Sequence, residues 1–256
     1  MSRLFVLLIF SFFSFCHPNN NNGISAELRS ANQTDSLKSI TDIVPPSGYK
    51  RTDTGKNSFA GWLRHIPLKK DKHVYLYNGS LKRNQRAQFA VLDMPVGKKD
   101  LQQCADAVMR LRAEYLFARK KYSLIEFRDN AGKRYKWTGE DNREAFEKYL
   151  ENVFGMCGTA SLEKQLKPVE NIMNIQPGDV FIKGGFPGHA MIVIDVAIND
   201  KGKKVFMLAQ SYMPAQDIHI VRNPMNAELN PWYEVNDAED ISTPEWTFLN
   251  TQLRRW

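Results

Sequence analysis

Cysteine is scarce in this chain: three in 256 residues, at positions 16, 104 and 157. That count excludes a disulfide-dense scaffold and allows one intramolecular bridge at most. Long apolar runs are also missing. The longest, Leu4 to Phe15, is interrupted at Ser11 and Ser14 and is too short to span a bilayer. His65, His73, His189 and His219 are present, but no two histidines stand four apart beside a glutamate, so the common zinc spacing is absent. No glycine-rich loop opens a helix to cradle a phosphate, since Gly184-Gly185 falls between two strands. There is no internal repeat and no nucleic-acid-binding motif. The net charge of +7 is scattered over short basic pairs, which reads as solvated surface and argues against nucleic acid as a partner. No metal and no cofactor are expected.

What is present begins at the N-terminus. Arg3 followed by Leu4 to Phe15 fits the apolar region of a signal peptide. Cys16 stands directly after it, where a lipoprotein signal is cut and its cysteine acylated, although Phe13-Ser14-Phe15 departs from the usual small residues. Residues 1–16 are therefore read as a signal or lipoprotein segment. Residues 17–42, with Asn19 to Asn22, read as a disordered tether. Residues 43–256 then form a single α+β domain, and 43% hydrophobic residues suffice for one sizeable core. The expected location is the bacterial cell envelope, with a lipid on Cys16 anchoring the chain to a membrane; a plain cleaved signal or an uncleaved anchor is the alternative.

Within the domain, Phe59 to Ile66 has helical apolar spacing, closed by Pro67. Val74 to Tyr77 and Phe89 to Met94 read as strands. Leu101, Cys104, Ala105, Val108, Leu111 and Tyr115 form one helical stripe from Asp100 to about Lys120, with Asp100 and Gln103 spaced as a capping box. A hairpin is expected at 123–137 around Asp129 to Gly132. A helix is expected from Asn142 to Phe154, stopped by Gly155. After Pro177-Gly178 short apolar strands take over, at 180–182, 190–196, 205–209 and 217–221. This order predicts an α+β fold in which the cysteine helix packs on an antiparallel sheet, with the hairpin and second helix inserted.

The chemistry-bearing pair is Cys104 in the first turn of a helix and His189 at the start of an apolar strand. A thiol needs a base before it attacks a carbonyl, and a helix N-terminus adds about 0.3–1 kcal/mol toward thiolate. The Cys104 amide, or the side-chain amide of Gln102 or Gln103, is placed to stabilise an oxyanion. Gln210, at the end of the next strand, is the candidate to orient the imidazole. Asp195 falls on the face of His189 by alternation, but lies about 20 Å further along the strand. Two rival readings stand beside this one. Cys104 also belongs to the apolar stripe, as a buried structural cysteine would, and Cys104 and Cys157 could form a disulfide.

Asp-x-x-x-Cys104-Ala-Asp on the helix, Pro177-Gly-Asp before one strand and Pro187-Gly-His189 before the next resemble the NlpC-type cell-wall peptidases and amidases. That resemblance implies a papain-like core, with Cys104 as nucleophile, His189 as base and Gln210 in the third position. It implies an amide-bond hydrolase acting on an envelope substrate such as peptidoglycan stem peptides. The sequence departs from the pattern in a longer gap between cysteine and histidine, and in Asp106 where those peptidases often have glycine. Residues 44–248 also resemble a family of uncharacterised exported bacterial proteins, often lipoproteins. The alternative from another class is a non-catalytic, membrane-tethered binding domain on the same scaffold.

Overall fold

The computed structural model describes residues 37–237 and 240–256. The expected signal segment, Cys16 and most of the tether lie outside the described residues. Residues 37–42, assigned above to the tether, belong to the packed unit that begins at Leu37. Ile40 is fully buried there, and Leu37 joins the same core.

Four α-helices are described: α1 (Phe59–Arg64), α2 (Cys104–Ala118), α3 (Arg143–Met156) and α4 (Thr159–Gln165). The strands are β1 (Tyr49–Arg51), β2 (Gln88–Val91), β3 (Glu126–Arg128), β4 (Arg134–Lys136), β5 (Lys167–Pro168), β6 (Val180–Lys183), β7 (His189–Asn199), β8 (Lys204–Gln210), β9 (His219–Val221), β10 (Tyr233–Glu234), β11 (Ile241–Ser242), β12 (Thr247–Phe248) and β13 (Leu253–Arg255). Nine of them make one sheet in the order β2-β9-β8-β7-β6-β13-β5, with β1 added to β7 and β10 to β8. All its pairings are antiparallel. The protein is thus a mixed α and β fold dominated by an antiparallel sheet.

The sheet is covered on both faces, which is why β7 and β8 read as almost unbroken apolar runs. Ile192, Ile194 and Met207 face α1 and α2, together with Leu63, Val108 and Leu111. Met191, Val193, Phe206 and Leu208 face a second core with Tyr233, Phe248 and Leu253. Each of these large apolar side chains contributes roughly 1.5–3 kcal/mol by leaving water.

Helix α2 starts at Cys104, four residues later than Asp100. Its first turn is closed by Asp106, whose carboxylate accepts the Gln103 N–H at 3.0 Å. The expected amphipathic stripe is buried on nearly all sides. Arg110 and Glu114, one and two turns beyond Asp106, are covered as well, and Arg143 of α3 donates to both oxygens of Glu114 at 2.6 and 2.7 Å. The inserted helix therefore neutralises a polar face that would otherwise meet solvent. That helix continues through Gly155 to Met156, so Gly155 does not stop it. Its start agrees with the sequence reading, because Asn142 accepts the Ala145 N–H at 3.0 Å as N-cap. The hairpin forms as β3 and β4, with Gly132 at φ +85° in its turn. Val74 to Tyr77 forms only single bridges, Tyr75 to Leu81 and Leu76 to Gln216, instead of a strand.

One correction concerns strand alternation. A bulge between Val193 and Asp195 inserts Ile194 as an extra residue in β7. Asp195 is thereby turned to the helix side, where it pairs with Arg51 and Arg64 at 2.6 Å each, instead of sharing the face of His189.

Candidate active site

Cys104 is the first residue of α2 and His189 the first of β7; both line one cleft of about 350 Å³. The helix packs across β7 and β8, which carries its N-terminus to the end of the sheet where β7 begins. The amide N–H groups of Ala105, Ala190 and Cys104 itself bear on the Cys104 thiol and favour its thiolate. Ala190 directly follows His189, so the thiol lies beside the start of the histidine strand. Cys157, on the same cleft, is a free thiol, as is Cys104.

His189 is 2% exposed and sits among the rings of Tyr212, Trp246 and Phe248 at 4.8, 5.3 and 5.9 Å. Its Nε2 lies 2.8 Å from Oε1 of Gln210. The Gln210 amide nitrogen donates to Glu245 at 2.9 Å and lies 3.2 Å from Nε2 of His219. A carboxylate only accepts, so the amide nitrogen faces Glu245 and its oxygen faces His189. His189 then carries its proton on Nε2 and leaves Nδ1 free as a base. Lys82 completes the group, donating to Glu245 at 2.6 Å, and the other nitrogen of His219 donates to the Asp217 carbonyl at 2.9 Å.

Of the residues singled out from sequence, the structure brings Cys104 and His189 to one cleft and joins Gln210 to His189. Gln103 lines the cleft as N-cap of α2, with its amide donating to Asp100 at 3.1 Å. Gln102 is a correction. It is buried, its amide nitrogen donates to the Gln216 carbonyl at 3.3 Å and its oxygen accepts from Arg110, so it turns away from the cleft. Glu245, Lys82, His219, Tyr212 and Trp246 were not anticipated in these roles. Trp246 and Glu245 follow Thr243-Pro244 in a stretch with no periodic pattern, and nothing local marks them.

The electrostatics also differ from expectation. Burial, then the Asp106 carboxyl, push the Cys104 thiol up to about 11, against the helix amides that favour thiolate. Asp106 is itself buried, with Oδ1 lacking a hydrogen-bond partner, and desolvation holds its carboxyl well above the usual range. Iodoacetamide should therefore alkylate Cys104 slowly at pH 7 and faster toward pH 11. In Asp106→Asn the rise should begin at lower pH, read by peptide mass mapping; an unchanged profile would show that Asp106 does not act on the thiol.

Burial lowers His189 to about 4 and His219 to about 3. The unfolded chain binds these protons near the ordinary histidine value of about 6.5. The stability contributed by the two neutral imidazoles is thus full above that pH and is lost as pH falls through 4 toward 3. The denaturation midpoint should drop between pH 7 and pH 4, and His219→Asn should flatten that slope. A midpoint that stays level across this interval would contradict the burial of both rings.

Residues 40–140 and 136–255 match the family described as Domain of unknown function (4846). The chain belongs to that family. No curated protein and no solved structure matches it.

Proposed function

We propose that this domain of unknown function is a cysteine hydrolase with a papain-like, NlpC-type core, cleaving an amide bond in an envelope substrate such as peptidoglycan stem peptides. The observation that carries this reading is the shared cleft of Cys104 and His189, with Gln210 holding Nε2 of the imidazole so that Nδ1 remains free. In the reaction, Nδ1 takes the thiol proton as the sulfur attacks the carbonyl, and the oxyanion develops beside the amides at the start of α2. The imidazolium then gives that proton to the departing amine, leaving an acyl-enzyme on Cys104. Water, deprotonated by the same nitrogen, releases the acid. The depressed histidine keeps the base unprotonated over the neutral range, and the raised thiol makes proton transfer part of the attack.

Lipidation at Cys16 would hold this domain at a membrane facing the polymer. Digestion of purified peptidoglycan by the full chain, with product masses and new amino groups recorded, tests the substrate class. Gln210→Ala should lower kcat/KM by about tenfold to a hundredfold, less than loss of the nucleophile, because Gln210 orients the base and transfers no proton. The raised Cys104 thiol favours a second reading, a non-catalytic binding domain on this scaffold. That reading stands if wild-type protein releases nothing from peptidoglycan yet sediments with it.

A further inference from the structure

A second cleft, of about 590 Å³, is lined by the loop after β1, the start of α1, the loop 174–179 before β6, and Arg112 of α2. Its volume falls in the range of small-molecule sites. Phe59 lies in its wall beneath the loop: a Cβ on Gly178, at φ +93°, would come within 2.9 Å of the Phe59 ring. Glycine is required for that approach.

Of the charged side chains lining this cleft, all but Asp53 and Arg112 have a hydrogen-bond or ion-pair partner among the described residues. Arg255 donates to both oxygens of Asp179 at 2.7 Å, and Lys204 donates to the Met173 carbonyl at 2.7 Å. Asp53 is exposed on the rim. Arg112 is half-buried, and its guanidinium has no hydrogen-bond or ion-pair partner among the described residues. Three rings frame it instead, Phe59 at 5.1 Å, Trp256 at 5.4 Å and Tyr115 at 5.7 Å. Aromatic neighbours stabilise the cation and fix its plane, but they use none of its N–H donors. A guanidinium held in this way presents a fork suited to two oxygens of one anion.

We infer that this cleft is a binding site for a small organic carboxylate, gripped by the Arg112 fork and covered by the surrounding aromatic side chains. Arg112 is the one cation lining the cleft whose N–H donors are unused among the described residues, which fits one negative charge, and Asp53 on the rim opposes a dianion. The apolar rings favour a carboxylate with a hydrophobic body over a bare inorganic ion. The site is separate from Cys104 and does not depend on the hydrolase reading.

The test is isothermal titration of the full chain with acetate, benzoate and indole-3-acetate, beside benzamide and inorganic phosphate. Benzoate or indole-3-acetate should saturate one site, at least about tenfold more tightly than benzamide, as expected when a charge-assisted pair is exchanged for a neutral one. Arg112→Gln should abolish this binding. Arg112→Lys, which keeps the charge and loses the fork, should weaken it by at least about tenfold. The comparison of carboxylate with amide needs only wild-type protein, so a poorly folding variant does not blunt it. No saturation by any carboxylate up to about 20 mM, a range covering weak ligands, would overturn the assignment. So would tighter binding of phosphate, equal binding of benzamide, or unchanged affinity in Arg112→Lys.

Discussion

On the proposed hydrolase reading, Cys104→Ala and His189→Ala should each lower hydrolysis of stem peptides by about a thousandfold or more in kcat/KM, because nucleophile and base would act as one unit. Their effects on the fold should differ. Cys104 fills a mostly apolar site at 7% exposure, and losing one sulfur there costs about 1 kcal/mol. His189 is packed between three aromatic rings and bonded to Gln210. Alanine there opens a cavity and leaves the Gln210 oxygen unpaired, a loss of about 2–4 kcal/mol. Circular dichroism melts run beside the digestion separate the two effects. An inactive Cys104→Ala with a nearly unchanged melt isolates the chemistry, whereas full activity in that variant eliminates the thiol mechanism. His189 is buried and carries this structural load whatever its chemistry, so His189→Ala reports on both.

Asp195→Ala should destabilise the protein by about 3–5 kcal/mol, the cost of breaking a buried ion pair by removing one partner. The carboxylate is fully buried and accepts from Arg51 Nε and Arg64 Nε at 2.6 Å each, and from the Val196 N–H at 2.8 Å. Arg64 is itself buried on α1, and alanine at 195 leaves its guanidinium without a counter-charge inside the helix-side core. Arg51→Met should cost less, since Arg51 is the more exposed partner and Arg64 keeps Asp195 paired. Chemical denaturation provides the measurement. Activity per folded molecule should be unchanged, because Asp195 lies about 20 Å along the strand from His189. A loss under about 1 kcal/mol would mean that the group is solvated and that β7 does not turn at Ile194 as described.

Much of the fold was legible because local rules agree with the tertiary answer. The Asn142 cap, the Gly132 turn and the long apolar strands at 189–199 and 204–210 each settle within a few residues. Helix α2 was legible as an element but not as a fully enclosed one. Its polar positions Asp106, Arg110 and Glu114 look solvent-facing in sequence, and only the packing of α3 against them shows otherwise. The bulge at Ile194 left no mark in the pattern, since residues on both faces of a doubly covered strand are apolar. Alternation then carries no phase, and Asp195 was assigned to the wrong side.

The sequence by itself determined the pairing of chemistries: one thiol in the first turn of a helix, one imidazole opening a strand, and an amide one strand further on. Those follow from the spacing of apolar residues and from where glycine and proline break it. Only the tertiary structure decided that Gln210 faces His189, that Glu245, Lys82 and His219 set its amide, and that Gln102 turns away. Those contacts join residues up to 163 positions apart, as Lys82 and Glu245 are, and a local pattern carries no information over such separations. The protonation state was likewise a tertiary matter. The helix amides available to Cys104 favour thiolate, but the burial and the neighbouring Asp106 that outweigh them arise only once the helix is packed on the sheet.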